Sequence, residues 1–194
     1  MFEGIIEGSK HELHSTKGIG MDFANLKFTG GKIVDTIRNV RTNEVKVIEH
    51  GHNIVVDSVL PLIMGMLRGD LQGIQYWAIG SGSPSWDSTP INPLASETTL
   101  THEIGRKVIP KSSIIFVDPV TFEESSTPTN CLLVSCTFYE YDCNGTWREF
   151  GIFGGNATDE MNSGYMIDKK HHPVITKTEE LQIDRKIYLS IAFR

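Results

Sequence analysis

The stretch Leu181-Gln182-Ile183-Asp184-Arg185-Lys186-Ile187-Tyr188-Leu189-Ser190-Ile191-Ala192-Phe193 decides the fold class. Leu181, Ile183, Ile187, Leu189, Ile191 and Phe193 fall on one face, interrupted only by Arg185. Gln182, Asp184, Lys186, Tyr188 and Ser190 fall on the other. Side chains alternate across a strand, so this period of two predicts a half-buried antiparallel strand with one wet face. The same period runs through Leu132, Val134, Cys136 and Phe138, set against Leu133, Ser135, Thr137 and Tyr139. Asp142-Cys143-Asn144-Gly145 then supplies a tight turn, because Asn-Gly tolerates positive φ at both central positions. Trp147 to Phe153 is expected to return as the partner strand.

Working back along the chain, Ile33–Val40 and Val45–Ile48 are rich in β-branched residues and flank a plausible hairpin loop, Arg41-Thr42-Asn43-Glu44. Asn53-Ile54-Val55-Val56 leads to Asp57-Ser58, either of which can cap a helix. Val59, Leu62, Ile63, Met66 and Leu67 follow at helical spacing, with Pro61 in the first turn and Gly69 as a stop. Ile74 to Ile79 and Arg106 to Ile109 read as strands. Ser96 to Leu100 reads as a single helical turn, and Thr121 to Asn130 as a loop. Residues 1–32 are glycine-punctuated, with apolar clusters only at Ile5-Ile6 and Phe23 to Phe28, and read as an arm with one short strand. The expected architecture is mainly β: an antiparallel β-sandwich with one or two short helices and a glycine-rich N-terminal arm, 1–32, ahead of a β-rich domain, 33–194.

Composition narrows the function. The 194 residues carry 18 basic and 24 acidic side chains, a net charge of −6, with no basic cluster. A duplex-binding surface needs clustered positive charge, so no nucleic-acid partner is expected. No run approaches 18 apolar residues and no secretory signal opens the chain, so neither membrane insertion nor export is expected. Three cysteines within one short segment (Cys131, Cys136, Cys143) make no disulfide framework and suit a reducing cytosol.

Individual motifs carry little chemistry. Gly80-Ser81-Gly82-Ser83 lacks the Lys and hydroxyl of a phosphate loop, is followed by Pro84, and reads as a flexible loop. His11-Glu12-Leu13-His14 is one residue short of helical zinc-protease spacing. Cys131 and Cys136 differ by an odd number and face opposite ways on a regular strand, so buried thiols are the better account. His171-His172-Pro173 reads as a turn. Asn144 and Asn156 sit in glycosylation-like triplets that the missing signal makes coincidental. No catalytic residue, cofactor or metal ligand is assigned.

Several segments taken together carry a resemblance. Tyr76-Trp77-Ala78-Ile79-Gly80-Ser81-Gly82 precedes a Pro-rich loop, and Leu94-Ala95-Ser96-Glu97 leads to Glu103-Ile104-Gly105-Arg106-Lys107. Arg148-Glu149-Phe150-Gly151-Ile152-Phe153-Gly154-Gly155, Ser163-Gly164-Tyr165-Met166 and Pro173-Val174-Ile175-Thr176-Lys177 come before the last strand. From residue 50 onward the chain resembles a group of bacteriophage tail-associated proteins found among tail-fibre and baseplate components. In that group an Arg-Glu-aliphatic-Gly-Leu-Phe-Gly hairpin and a Pro-Ile-Thr-Lys loop precede the final strand. Phe150, where a small residue is common, and His171-His172 depart from the group's pattern.

The resemblance implies a non-enzymatic virion structural protein of a phage tail, made in the host cytoplasm and located in the virion. It would act at the baseplate or fibre-attachment region by homo-oligomeric assembly and docking to other tail proteins. Ile5, Ile6, Phe23, Trp86, Arg148 and Glu149 are the candidate interface residues, the last two being otherwise an ordinary polar face. The alternatives are a head or neck structural protein, or a host-glycan-binding module stacking sugars on Tyr76, Trp77 or Trp86. A cell-wall hydrolase would need an acid–base pair that the sequence does not display.

Overall fold

The computed structural model describes residues 26–29 and 31–193, with side chains from Gly31 to Ile191. Eleven strands are present among them: β1 Leu26–Thr29, β2 Ile33–Asn39, β3 Val45–His50, β4 Ile54–Val55, β5 Gln72–Gly80, β6 Glu103–Val108, β7 Ile114–Phe116, β8 Cys131–Phe138, β9 Gly145–Gly155, β10 Tyr165–Lys177 and β11 Leu181–Phe193. One helix, α1 Val59–Arg68, lies between β4 and β5, and 3₁₀ turns occupy Pro84–Trp86 and Lys111–Ser113.

The strands form two antiparallel sheets, as the alternation predicts. In the first, the order is β3-β2-β11-β8-β7, with β1 also paired to β11. In the second it is β4-β10-β9-β5-β6. β11 is central to the first sheet, flanked by β2 and β8 along most of its length. β1 and β2 pair successive stretches of it: Thr29 opposes Ser190 and Ile33 opposes Ile187. The short strand expected within residues 1–32 is therefore β1, and it belongs to the sheet of its own chain.

The core between the sheets includes Ile33, Trp77, Ile79, Val134, Phe138, Trp147, Phe150, Ile152, Ile183 and Ile187, all fully buried. Phe138 and Trp147 meet edge to face at 5.0 Å, a preferred arrangement of two ring quadrupoles. The predicted β2–β3 hairpin, the helix and the alternation of β8 and β11 all appear. Gly69 ends α1 in the left-handed region, its N–H reaching back to the carbonyls of Gly65 and Met66.

Several local expectations are corrected. Trp147 to Phe153 does not return beside β8. β8 lies in the first sheet and β9 in the second, where β9 pairs with β10 and β5. The intervening turn carries positive φ at Cys143 and Gly145 rather than at Asn144 and Gly145, so the chain crosses between sheets instead of closing a two-residue hairpin. His171-His172-Pro173 is no turn: it lies inside β10, at a register irregularity between His171 and Ile175. The Pro173–Lys177 segment, a loop in the resembled group, is likewise strand here. Ser96 to Leu100 is not helical, its start being a turn closed by the Glu97 N–H on the Leu94 carbonyl. Finally, Ser58 does not cap α1 with its side chain. Its hydroxyl instead donates to the Met166 carbonyl at 2.6 Å, tying the helix start to β10.

Candidate functional site

Buried charge is concentrated where β10 departs from regular pairing. Arg185, the residue that interrupts the apolar face of β11, lies in the core. Its Nε and Nη2 donate to the two oxygens of Asp35 on β2, each at 2.6 Å, and both side chains are fully buried. His50, at the end of β3, places Nε2 2.8 Å from the same carboxylate. The guanidinium packs over Phe150 at 4.6 Å and Trp147 at 5.3 Å, a cation–π arrangement. Burial opposes ionisation of Asp35, but the Arg185 charge and hydrogen bonds outweigh it and hold the carboxyl well below its usual range. The His172 ring lies 5.0 Å from His50, and its Nδ1 donates to the Pro173 carbonyl. Burial, then the nearby Arg185 charge, keep His172 neutral well below its ordinary pKa.

A second cluster surrounds Glu149 on β9. Its carboxylate accepts the backbone N–H of Thr101 at 3.0 Å and of His102 at 2.8 Å, and it pairs with Lys169 Nζ at 3.1 Å. Lys169 also donates to Glu97 at 2.5 Å and to the Thr99 carbonyl. Gly80 faces Glu149 across the β5–β9 pair. A Cβ at Gly80 would lie 2.5 Å from Glu149 Cγ, so only glycine lets the carboxylate fold over this strand. His171 donates through Nδ1 to the Ile91 carbonyl and stacks on Trp86 at 3.8 Å. Its Nε2 faces Glu149 at 3.8 Å, and burial is the main cause of its lowered pKa.

Above these clusters lies an open cleft of about 670 Å³ between β3 and β10, bordered by Lys46, Glu49, Pro90, Asn92, Lys170 and Pro173. Its floor includes His50, His171 and His172.

The remaining motif residues act as fasteners. Glu103 and Arg106 form a bidentate pair, with contacts of 2.7 and 2.9 Å. Arg106 also donates to the Thr158 carbonyl and to Ser163, and Glu103 accepts the Asn162 N–H, so the pair holds loop 156–164. Arg148 bonds Asp87 and the Ser81 carbonyl, closing the loop after β5. Lys177 donates to the carbonyls of Tyr139 and Glu140 and to Asn144 Oδ1, clasping the crossing between β8 and β9. Gly154 permits a close backbone approach, since a Cβ there would lie 2.2 Å from the Gly73 carbonyl oxygen.

The structure thus rearranges the predicted interface residues. Glu149 is fully buried and Trp86 nearly so, and neither is presented at the surface. Arg148 and Glu149 do bridge outward from β9, but to elements of their own chain. The ordinary polar-face reading fails for Glu149, whose partners lie too far away in sequence to be read there. Ile5, Ile6, Phe23 and the His11–His14 motif lie outside the described residues. Trp77 and Trp86 are buried, which removes two of the three rings proposed for sugar stacking, and Tyr76 is half-buried beside Arg106. The free thiols fit the packing account: burial pushes Cys136 up to about 12 and Cys143 up to about 11, far from a reactive thiolate. Among the described residues no group of three or more His, Cys, Asp or Glu is placed to hold a metal ion. No described helix is long and apolar enough to cross a membrane.

No family model matches the chain, and neither a curated protein nor a solved structure is found to be similar to it.

Proposed function

We propose that this chain is a virion structural protein of a phage or phage-derived tail, at the baseplate or fibre-attachment region. It acts by homo-oligomeric assembly and docking to neighbouring tail proteins. The observation that carries the reading is how the polar residues of the resembling motifs are used. Glu103, Arg106, Arg148, Glu149 and Lys177 each tie a loop or a chain crossing to the sandwich. Such wiring rigidifies a scaffold, and rigid subunits assemble about a symmetry axis without paying an ordering cost at every contact. The N-terminal arm and the loops at Gly80–Pro93 and Glu123–Asn130 are the contact elements in this reading.

Immunogold electron microscopy of particles from the source organism, with antibody to this chain, tests the proposal. Label at the tail tip or fibre base is the expected outcome. Label on the capsid moves the protein to the head. Intact particles without label, with the protein left soluble in the lysate, overturn the virion reading.

A further inference from the structure

The helix α1 is more apolar than its burial requires. Val59, Leu62, Ile63 and Met66 face the sandwich, as helical spacing dictates. Leu60, Met64 and Leu67, at i, i+4 and i+7, form a neighbouring stripe that is 57, 66 and 77% exposed. The inner face of the helix borders a groove of about 400 Å³ at the mouth between the two sheets. Val59, Ile63, Met66, Ile74, Leu132 and Ile191 line it, with almost no polar surface. Groove and stripe together make one continuous apolar face, larger than the singly exposed hydrophobics expected of a solvated surface.

The start of the described chain says what covers it. β1 pairs Phe28 with Ile191 and Thr29 with Ser190, and both partners on β11 border the groove. The chain therefore enters the sheet at the rim of the apolar face. Ahead of Leu26 stand 25 further residues, beginning Met1-Phe2-Glu3-Gly4-Ile5-Ile6. Residues 7–25 include Gly8, Gly18 and Gly20, and a flexible linker of that length has a root-mean-square span of about 24 Å. A linker of that span is long enough to connect the first six residues to a groove a few residues from the attachment point, at a local concentration on the order of millimolar.

We infer that the groove beside α1 is a docking site for the N-terminal segment Met1–Ile6 of the same chain. Phe2, Ile5 and Ile6 enter as apolar anchors and the tether closes the loop. The inference is independent of the virion reading, although an arm stored on its own domain is one that can later be handed to a neighbour.

Hydrogen exchange of the intact protein, against a variant carrying Phe2→Ser, Ile5→Ser and Ile6→Ser, tests it at dilute concentration. Near-UV circular dichroism checks that the substituted chain keeps its fold. Amides of residues 59–68 and 189–191 should exchange about tenfold faster in the variant, as expected when a local docking contact is lost. Met66→Gln should have the same effect in the wild-type chain and add nothing in the triple-serine background. Unchanged exchange in the triple-serine variant overturns the inference. Protection that rises with protein concentration also overturns it, assigning the groove to the segment of a second copy.

Discussion

Asp168 is the residue whose protonation most clearly trades against the fold. It is fully buried at an irregularity of β10, where Oδ1 accepts the Ile152 N–H at 2.9 Å and Oδ2 accepts from the Asn53 amide at 2.6 Å. Burial dominates those two neutral donors and raises its pKa from 3.8 to about 7. A raised acid binds more protons folded than unfolded. Its stabilisation is complete below the unfolded value and is lost as pH climbs through about 7, by at most about 4 kcal/mol. Asp168→Asn should remove that loss. Asn53 Oδ1, which has no hydrogen-bond partner, can accept from the new amide after a flip of the Asn53 side chain. Urea unfolding at intervals from pH 4 to 8 should show the variant gaining on wild type as pH rises, with the difference levelling above pH 7. A constant difference would remove Asp168 as the source. His171 and His172 act in the opposite sense: their lowered pKa values give stability that is present above 6.5 and lost on acidification.

The Asp35–Arg185 pair invites a different test at the same scale. Removing one partner strands a fully buried charge, so Asp35→Ala should cost about 3–5 kcal/mol in denaturant titration. Asp35→Leu combined with Arg185→Met should recover most of it, since well-packed apolar substitutes replace buried ion pairs at little cost. A double variant as unstable as the single one would show that His50 needs the carboxylate or that the aromatic rings need the guanidinium.

At the scale of elements, what the sequence disclosed was local. Period two located β8 and β11, and helical spacing with Gly69 located α1 almost to the residue. Pairing was not local. Alternation in Leu132–Phe138 and in Trp147–Phe153 looks the same whether the strands adjoin or lie in facing sheets, so the Asn-Gly turn suggested a hairpin that does not form. The charged clusters were hidden for the same reason. Arg185 stood out only as a flaw in an apolar face, because Asp35, its partner, lies 150 residues earlier. Glu149 gave no sign that its ligands were backbone amides at 101 and 102. The crossing between sheets depends on Lys177, which holds its three acceptors from the far end of β10. Lys177→Met should leave the global unfolding midpoint nearly unchanged while amides of residues 139–144 exchange faster. Uniform loss of protection across both sheets would contradict this local role.

Over the whole molecule, β1 alters where an arm can be cut. A chain lacking residues 1–25 retains the strand that pairs with residues 190–193 of β11. A chain lacking residues 1–32 loses it. The longer deletion should melt several degrees lower than the shorter one by differential scanning calorimetry, as expected for about 1–2 kcal/mol in a domain of this size. If both melt alike, β1 contributes nothing to the sheet it joins. In the virion reading, the shorter deletion is therefore the informative test of incorporation into particles.

The central position of β11 also governs how the protein is born. A ribosome releases β2 and β3 long before residues 181–193 exist, and β8 ahead of them, yet β2 and β8 have no direct pairing with each other and meet only through that late strand. Until it arrives, two nascent strand edges and an unneutralised Asp35 wait in the cell's interior, exposed to chaperones and to one another. A message cut short before codon 181 thus yields a polypeptide whose first sheet is left as two separate pairs, β2–β3 and β7–β8, which cellular proteolysis can remove before it enters any assembly.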